Sequence, residues 1–508
     1  MYPGTYAAVA PNRPAIIVAD TDETVTYSQL DNRSLRLARH LYDDGVRPGD
    51  HIAVLSDNQA RAMEIYWAAM RSGLYITFIN SQLSAGEVAY IVNDCDAQTF
   101  MIADEFAGIA NEVIAQTPRV RRRIALGSVD GFDDYEAVVA AASTQPLPAQ
   151  PCGMDMLYSS GTTGFPKGIE VPLPDRDVGA PGDPLTMLFG PAMALDADSV
   201  YLSPAPIYHA APLRFMAVAH RLGATVVMMR KFDAESALKF IEQYRVTHSQ
   251  WVPTMFIRML KLDQVVRDSH DVSSLRCAVH AAAPCPQDVK RAMIDWWGPI
   301  LLEYYAATEG NGLTMIDSPD WLAHPGSVGR CVLGILRVCD DDGAEVAPGQ
   351  IGTVYFERDV APFEYHNDPE RTAQTRHPDH PTWTTNGDVG YLDDDGYLYL
   401  TDRKSFMIIS GGVNIYPQEI ENALALHPAV LDVAVIGIPD EEMGESVMAV
   451  VHPAAESDAH DQLTAALDEF LRERIAHYKV PRRYEFVTDL PRTPTGKLIK
   501  RQLQQRYA

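Results

Sequence analysis

The first hundred residues alternate between short apolar runs and helical patterns, and that alternation restricts the fold more than any other feature. Ala15-Ile16-Ile17-Val18 reads as a strand. Thr26-Tyr27-Ser28-Gln29 has capping-box spacing, and Leu30, Leu37, Ala38 and Leu41 then fall on one helical face. Gly45-Val46-Arg47-Pro48-Gly49-Asp50 ends that helix and turns into Ile52-Ala53-Val54-Leu55. A second helix, from about Ala60 to Arg71, precedes the strand Tyr75-Ile76-Thr77-Phe78; a third, Ala85 to Val92, leads to Thr99-Phe100-Met101-Ile102. Such β-α-β succession predicts a parallel sheet covered by helices, the α/β class. At 508 residues the chain exceeds one ordinary core and should divide into two or three packed units.

Apolar content of 46% with 22% charged residues is that of a soluble globular protein, and no apolar run is long enough to span a bilayer. The amino terminus lacks a basic-then-apolar signal pattern, so a cytoplasmic location is expected. The six cysteines (Cys95, Cys152, Cys277, Cys285, Cys331, Cys339) have no CxxC or metal-ligand spacing and read as reduced packing residues. A net charge of −26 argues against nucleic acid as a partner. Any anionic ligand must then be held by concentrated local donors and a metal ion.

One stretch has such donors. Tyr158-Ser159-Ser160-Gly161-Thr162-Thr163-Gly164-Phe165-Pro166-Lys167-Gly168 combines hydroxyls, glycines and a lysine. Glycines let backbone N–H groups approach an anion, hydroxyls add neutral donors, and lysine adds a mobile positive charge. The combination suits a polyphosphate. It is not a P-loop, because Gly161 and Gly164 are too close and Gly168 follows the lysine where a Ser or Thr would bind magnesium.

Further along, Leu302-Glu303-Tyr304-Tyr305-Ala306-Ala307-Thr308-Glu309-Gly310 offers a flat ring for a purine, a hydroxyl near phosphate and a carboxylate hard enough for magnesium. From Gly326 to Asp402 the pattern shifts to short strands with Gly/Asp turns, a β-subdomain containing Thr385-Asn386-Gly387-Asp388. Ile409-Ser410-Gly411-Gly412-Val413-Asn414-Ile415-Tyr416-Pro417 leads into a helix with proline near its first position. Pro491-Arg492-Thr493-Pro494-Thr495-Gly496-Lys497 lies close to the carboxyl terminus. Residues 121–152, which open with Arg121-Arg122-Arg123, read as an exposed connection, and 171–184 as a long surface excursion of unassigned role.

In this order the motifs resemble those of the adenylate-forming superfamily, in particular bacterial fatty-acyl-CoA synthetases. The resemblance implies a large AMP-binding domain over 1–402, made of two α/β subdomains plus a β-subdomain. A hinge at 403–405 and a small mobile α/β domain over 406–508 would follow. It implies ATP, Mg2+ and coenzyme A as ligands and a small-molecule carboxylic acid as substrate; if the chain associates, a homodimer is expected. By resemblance, Ser159, Ser160, Gly161, Thr162, Thr163, Gly164 and Lys167 hold the β- and γ-phosphates, and Ala282, Ala283 and Pro284 lie under adenine where relatives usually have Gly-Gly-Ala-Pro. Tyr304, Tyr305 and Ala306 line the purine, Thr308 meets phosphate, Glu309 binds magnesium, and Asp388 accepts both ribose hydroxyls. Arg403 contacts ribose or phosphate, Gly411 and Gly412 line the pantetheine tunnel, and His209 lies beside the acyl group. Lys497 serves the carboxylate and bridging phosphate oxygens, and Arg472, Arg474 and Lys479 are candidates for the CoA phosphates.

The implied reaction converts a hydrophobic carboxylate, fatty or ring-bearing, to an acyl-adenylate and then transfers the acyl group to the CoA thiol with release of AMP. Small residues at Ala210-Ala211, Ala281-Ala282-Ala283 and Ala306-Ala307 leave room for a bulky acid. Delivery to a carrier-protein thiol is the alternative within enzymes. A non-catalytic nucleotide-binding protein of the same fold is the alternative outside them, and the presence of Lys497 and Glu309 counts against it.

Overall fold

The computed structural model describes residues 1–159, 166–403, 406–410, 413–440, 443–455, 460–492 and 498–507, with backbone alone at Ser159, Asp402, Arg403 and Asn414. Met1–Trp251, Lys261–Val279 and Pro362–Thr372 form one compact unit; Val252–Leu260, His280–Ala361 and Ala373–Ala508 form a second.

The first unit holds the expected parallel sheet. Its strands lie in the order Asp133–Asp134, Arg122–Leu126, Thr99–Ala103, His51–Leu55, Tyr75–Ile79, Met154–Asp155, all parallel. The helix Tyr27–Asp43 starts at the predicted capping box: Thr26 Oγ1 accepts from the Gln29 N–H at 3.2 Å, and Gln29 Oε1 accepts from the Thr26 N–H at 2.8 Å. The buried face of this helix carries Leu30, Leu37, Ala38 and Leu41.

A second parallel run in the same unit has the order His248–Trp251, Val200–Ser203, Thr225–Met228, Pro14–Val18, with Glu23–Thr26 added antiparallel. A three-stranded antiparallel piece joins Leu157–Ser159, Lys167–Glu170 and Glu364–Tyr365.

One sequence reading needs correction. Residues 121–152 are not merely a connection: Arg122–Leu126 is a strand of the first sheet and Tyr135–Ala141 a helix. The arginines lie at the outer end of that strand, and only Ile124, Ala125 and Leu126 are buried, a run too short to stand out. Residues 171–183 form no helix or strand, as the sequence reading expects, and they are laced to their unit. Cys152 N–H donates to Arg176 O and Val178 N–H to Gln150 O, both at 2.9 Å. Asp183 caps the helix Pro184–Met193 and pairs with Arg176 at 3.1 Å and Arg221 at 3.6 Å.

The second unit is mostly antiparallel. Leu301–Ala306, Leu313–Asp317 and Arg330–Leu333 form one antiparallel run. Ile335–Cys339, Gly352–Glu357, Asp388–Leu392 and Leu398–Arg403 form the β-subdomain, with Trp383–Thr384 beside Gly352–Glu357. Towards the carboxyl terminus, Val430–Asp440 and Gly444–Pro453 make a long hairpin flanked by Ile408–Ser410, Val413–Ile415 and Arg483–Phe486. The helices Pro417–Ala425 and His460–Arg472 cover one face of it, where Ile420, Leu424, Leu467 and Leu471 are buried with Val433 and Val435.

His220 is a buried titratable group of the first unit. It is fully buried, with Trp67 Nε1–H donating to its Nδ1 at 3.1 Å. Its Nε2 lies 3.1 Å from Ala15 O, a carbonyl that only accepts, so Nε2 carries the proton and the ring is neutral. Burial pushes its pKa down to about 4. The folded value lies below the unfolded one, so its contribution is complete above pH ~6.5 and is lost as pH falls towards 4. Urea unfolding at pH 7 and pH 5 should show His220→Gln losing about 2 kcal/mol less than the parent across that interval. Equal losses would mean that His220 does not bind a proton on unfolding.

Candidate active site

The strand Leu301–Ala306 ends in a tight turn in which Gly310 N–H donates to Ala307 O at 3.0 Å, with Gly310 at φ +66°. This turn presents Thr308 and Glu309, both half-buried. Just before it, Tyr305 OH donates to Asp388 Oδ2 at 2.6 Å. Asp388 is buried at the first position of Asp388–Leu392 and is register partner of Arg403. The Tyr305 ring packs on Phe356, centroids 6.0 Å apart. A Cβ on Gly312 would stand 2.0 Å from that Phe356 ring, which explains the glycine.

Two further residues hold the turn, and sequence reasoning missed both. Arg358 Nη1 donates to the carbonyls of Gly310 and Asn311 at 3.3 Å each. Asn386 Nδ2 donates to Asn311 Oδ1 at 3.2 Å, so the loop before Asp388 is bonded to the loop after Glu309. Tyr304, Tyr305, Ala306, Thr308, Glu309 and Asp388 therefore share one framework.

Behind it lies a buried ion pair. Lys290 Nζ is 2.5 Å from Glu303 Oε2, with Lys290 wholly buried and Glu303 nearly so. His280 Nε2 is 3.8 Å from the same oxygen, and burial holds His280 well below its ordinary pKa, so it is neutral. Burial raises the Glu303 pKa, and the Lys290 ammonium pulls it back. The pair fastens the helix Gln287–Trp297 to the strand that carries Tyr305. A signal for it existed: Lys290 sits in the apolar stripe with Met293, Ile294 and Trp297.

After His280, Ala282 has φ +75°, the left-handed region, with its side chain exposed. Alanine there costs about 1–2 kcal/mol relative to a right-handed conformation. The small side chain at this position thus comes with a strained backbone, where a glycine would have none.

The phosphate-loop residues Ser160, Gly161, Thr162, Thr163 and Gly164 lie outside the described residues, as do Gly411, Gly412, Ser405, Lys497 and the side chains of Ser159 and Arg403. The two flanks of the loop are described. Ser159 and Lys167 are register partners in an antiparallel pair. Tyr158 OH donates to Asp94 Oδ2 at 2.6 Å, and the Lys167 ammonium stands 4.9 Å from the centre of the Tyr365 ring. A Cβ on Gly168 would lie 2.5 Å from Met156 Cε and 3.0 Å from the Tyr158 ring, so a side chain there requires these neighbours to shift. In the same unit His209 is the residue before the helix Ala210–Leu222, its ring 4.5 Å from that of Tyr208.

The three candidate CoA-phosphate cations are each beside a carboxylate: Arg472 with Asp468 at 2.5 Å, Arg474 with Glu473 at 3.2 Å and Lys479 with Glu419 at 2.6 Å. An anion would have to compete for them. Among the described residues no three His, Cys, Asp or Glu side chains cluster as a metal site. Glu309 fits a magnesium ion that takes its other oxygens from phosphate and water. No helix among the described residues is long and apolar enough to cross a membrane.

Comparison with known proteins covers nearly the whole chain. Residues 5–360 match the AMP-binding enzyme family and 419–497 its AMP-binding enzyme C-terminal domain. A fatty acid–[acyl-carrier-protein] ligase, ScoC, of Streptomyces coeruleorubidus is 32% identical, covering 99% of this chain and 95% of the relative. A feruloyl-CoA synthase of an Amycolatopsis species is 33% identical over 100% of this chain and 98% of its own. Among solved structures, the anthranilate CoA ligase AuaEII in complex with anthranoyl-AMP superposes with a TM-score of 0.86 at 26% identity, over 99% of this chain and 96% of that one. With a large amino-terminal and a smaller carboxy-terminal α/β domain, the chain belongs to the family of AMP-binding enzymes, the adenylate-forming ligases.

Proposed function

We propose that this AMP-forming ligase activates a hydrophobic carboxylic acid with ATP and passes the acyl group to coenzyme A, with the residues below in the stated roles. The chemical problem is that a carboxylate is anionic and its oxygen leaves badly. Attack of a carboxylate oxygen on the α-phosphorus of ATP forms the acyl–phosphate bond and expels pyrophosphate. The thiolate of CoA then forms the thioester, and the anhydride C–O bond breaks with AMP as leaving group. The first step needs positioning and charge neutralisation more than covalent help.

The observation that carries the reading is the Tyr305–Asp388 hydrogen bond of 2.6 Å beside the turn bearing Thr308 and Glu309. It holds a flat ring, a carboxylate and a harder carboxylate in one rigid piece, the set that adenine, ribose and a magnesium phosphate require. Asp388 Oδ2 accepts from Tyr305, and its Oδ1 lone pairs serve the ribose. Glu309 would hold Mg2+, whose charge would screen the phosphates. Ser159 to Lys167 cradle the β- and γ-phosphates, and Lys497 neutralises the carboxylate and bridging oxygen. His209 borders the acyl group. The domain over 406–508 turns about 403–405 between the two steps, withdrawing Lys497 and presenting Gly411 and Gly412 to CoA.

Delivery to a carrier-protein thiol is the second reading, supported by the name of the Streptomyces relative. A panel of carboxylates, assayed for pyrophosphate release with and without CoA, separates the possibilities. Medium-chain and ring-bearing acids should outperform acetate by kcat/KM, and CoA should accelerate turnover. Acyl-AMP accumulation unaffected by CoA would favour the carrier protein; acetate as best substrate would refute the roomy pocket.

Lys497→Ala should slow acyl-AMP formation by about two to four powers of ten, the scale of one preorganised charge. Thioester formation from chemically made acyl-AMP should stay near the parent rate. Equal loss in both half-reactions would remove Lys497 from its assigned step.

A further inference from the structure

Two buried side chains of the second parallel run have no use in the chemistry above. Ser203 is the last residue of Val200–Ser203, and Gln250 lies one from the end of His248–Trp251. These strands are parallel, with Tyr201 opposite His248 and Leu202 opposite Ser249, which puts Ser203 beside Gln250. Side chains alternate along strands, so Tyr201, Ser203, His248 and Gln250 share one face. That face is covered by the helices Pro184–Met193 and Ala210–Leu222: His248 Nε2 bonds to Met193 O at 2.9 Å, and the Tyr201 ring lies parallel to that of Phe215.

Ser203 is fully buried and Gln250 is 2% exposed, yet Ser203 Oγ and Gln250 Oε1 have no hydrogen-bond partner among the described residues. A buried polar atom without a partner is expensive, and two side by side point to a group missing from the protein itself. Two neighbouring polar side chains on the sheet are committed elsewhere. His248 is bonded to Thr247 Oγ1 and Met193 O, and Ser249 Oγ accepts from Trp251 Nε1–H on the opposite face.

The position favours a ligand. In open α/β sheets ligands bind at the carboxyl ends of parallel strands, where both residues stand. Ser203 opens the segment that runs to His209, and the helix over this face starts with the small residues Ala210 and Ala211. On the reading given under Proposed function, that segment borders the acid.

We infer that Ser203 and Gln250 select an acid that is hydrophobic but carries a hydroxyl or keto oxygen on its ring or chain, which these two side chains hydrogen-bond. A hydroxyl and a carboxamide can each donate and accept, so the pair takes either oxygen. A site built to bond such a group rejects the analogue lacking it much more strongly than an apolar pocket rejects a misfit.

Acid-dependent ATP–pyrophosphate exchange without CoA tests this on matched acids: 3-phenylpropanoate against 3-(4-hydroxyphenyl)propanoate, and decanoate against 9-oxodecanoate and 10-hydroxydecanoate. In at least one set the polar acid should exceed its apolar partner by tenfold or more in kcat/KM. Gln250→Leu should reduce that ratio at least tenfold, by lowering the polar acid and raising the apolar one. Ser203→Ala, the gentler change, should move the ratio the same way by a few fold, which secures the reading if Gln250→Leu folds poorly. Preference for the apolar acid in every set, or loss of rate equal for both members in both variants, overturns the inference and leaves the pair holding water. Exchange with none of the acids overturns the adenylation reading as well.

Discussion

The bond from Tyr305 OH to Asp388 Oδ2 is the constraint on which the rest of the site depends. It ties the end of the strand Leu301–Ala306 to the first residue of a strand in the β-subdomain, and each neighbour of that bond is itself held. Phe356 backs the tyrosine ring, while Arg358 and Asn386 hold the chain around Gly310 and Asn311. None of these supports is strong alone, since a hydrogen bond contributes about 1 kcal/mol net, and about 1.5–3 kcal/mol where one partner is charged, as at Arg358. Together they brace the chain on either side of the Thr308–Glu309 turn.

Charge is used sparingly at the same place. A chain of net charge −26 must concentrate cations where it binds phosphate, yet Lys290 is spent wholly inside the protein against Glu303. A buried pair of this kind gives little net stability over an apolar replacement, though removing one partner alone costs about 3–5 kcal/mol. Its value lies in orientation: Glu303 immediately precedes Tyr304 and Tyr305, so the pair sets how their strand lies against Gln287–Trp297. His280, neutral and touching the same carboxylate, leaves that balance undisturbed.

Much of the fold was legible because its signals are local. The capping box at Thr26 and the stripe of Leu30, Leu37, Ala38 and Leu41 need only neighbouring residues to be recognised. The strand at Arg122–Leu126 was not legible, because its two arginines, preceded by Arg121, mask three buried residues. At the site, motif residues could be named from their order, but the contacts that hold them could not. Asn386 and Asn311 are 75 positions apart, and no periodicity links them. Ser203 and Gln250 meet only through the register of two strands, and what marks them is an absent partner, which no sequence displays. Lys290 is the exception: a lysine in an apolar helical stripe was a visible anomaly.

Transfer of oxygen from the acid to the nucleotide tests the chemistry most directly. A carboxylate labelled with oxygen-18 at both oxygens, turned over with ATP and CoA, should yield AMP carrying one labelled oxygen per thioester formed, with none in pyrophosphate. Unlabelled AMP, or label in inorganic phosphate alongside ADP, would contradict an acyl-adenylate.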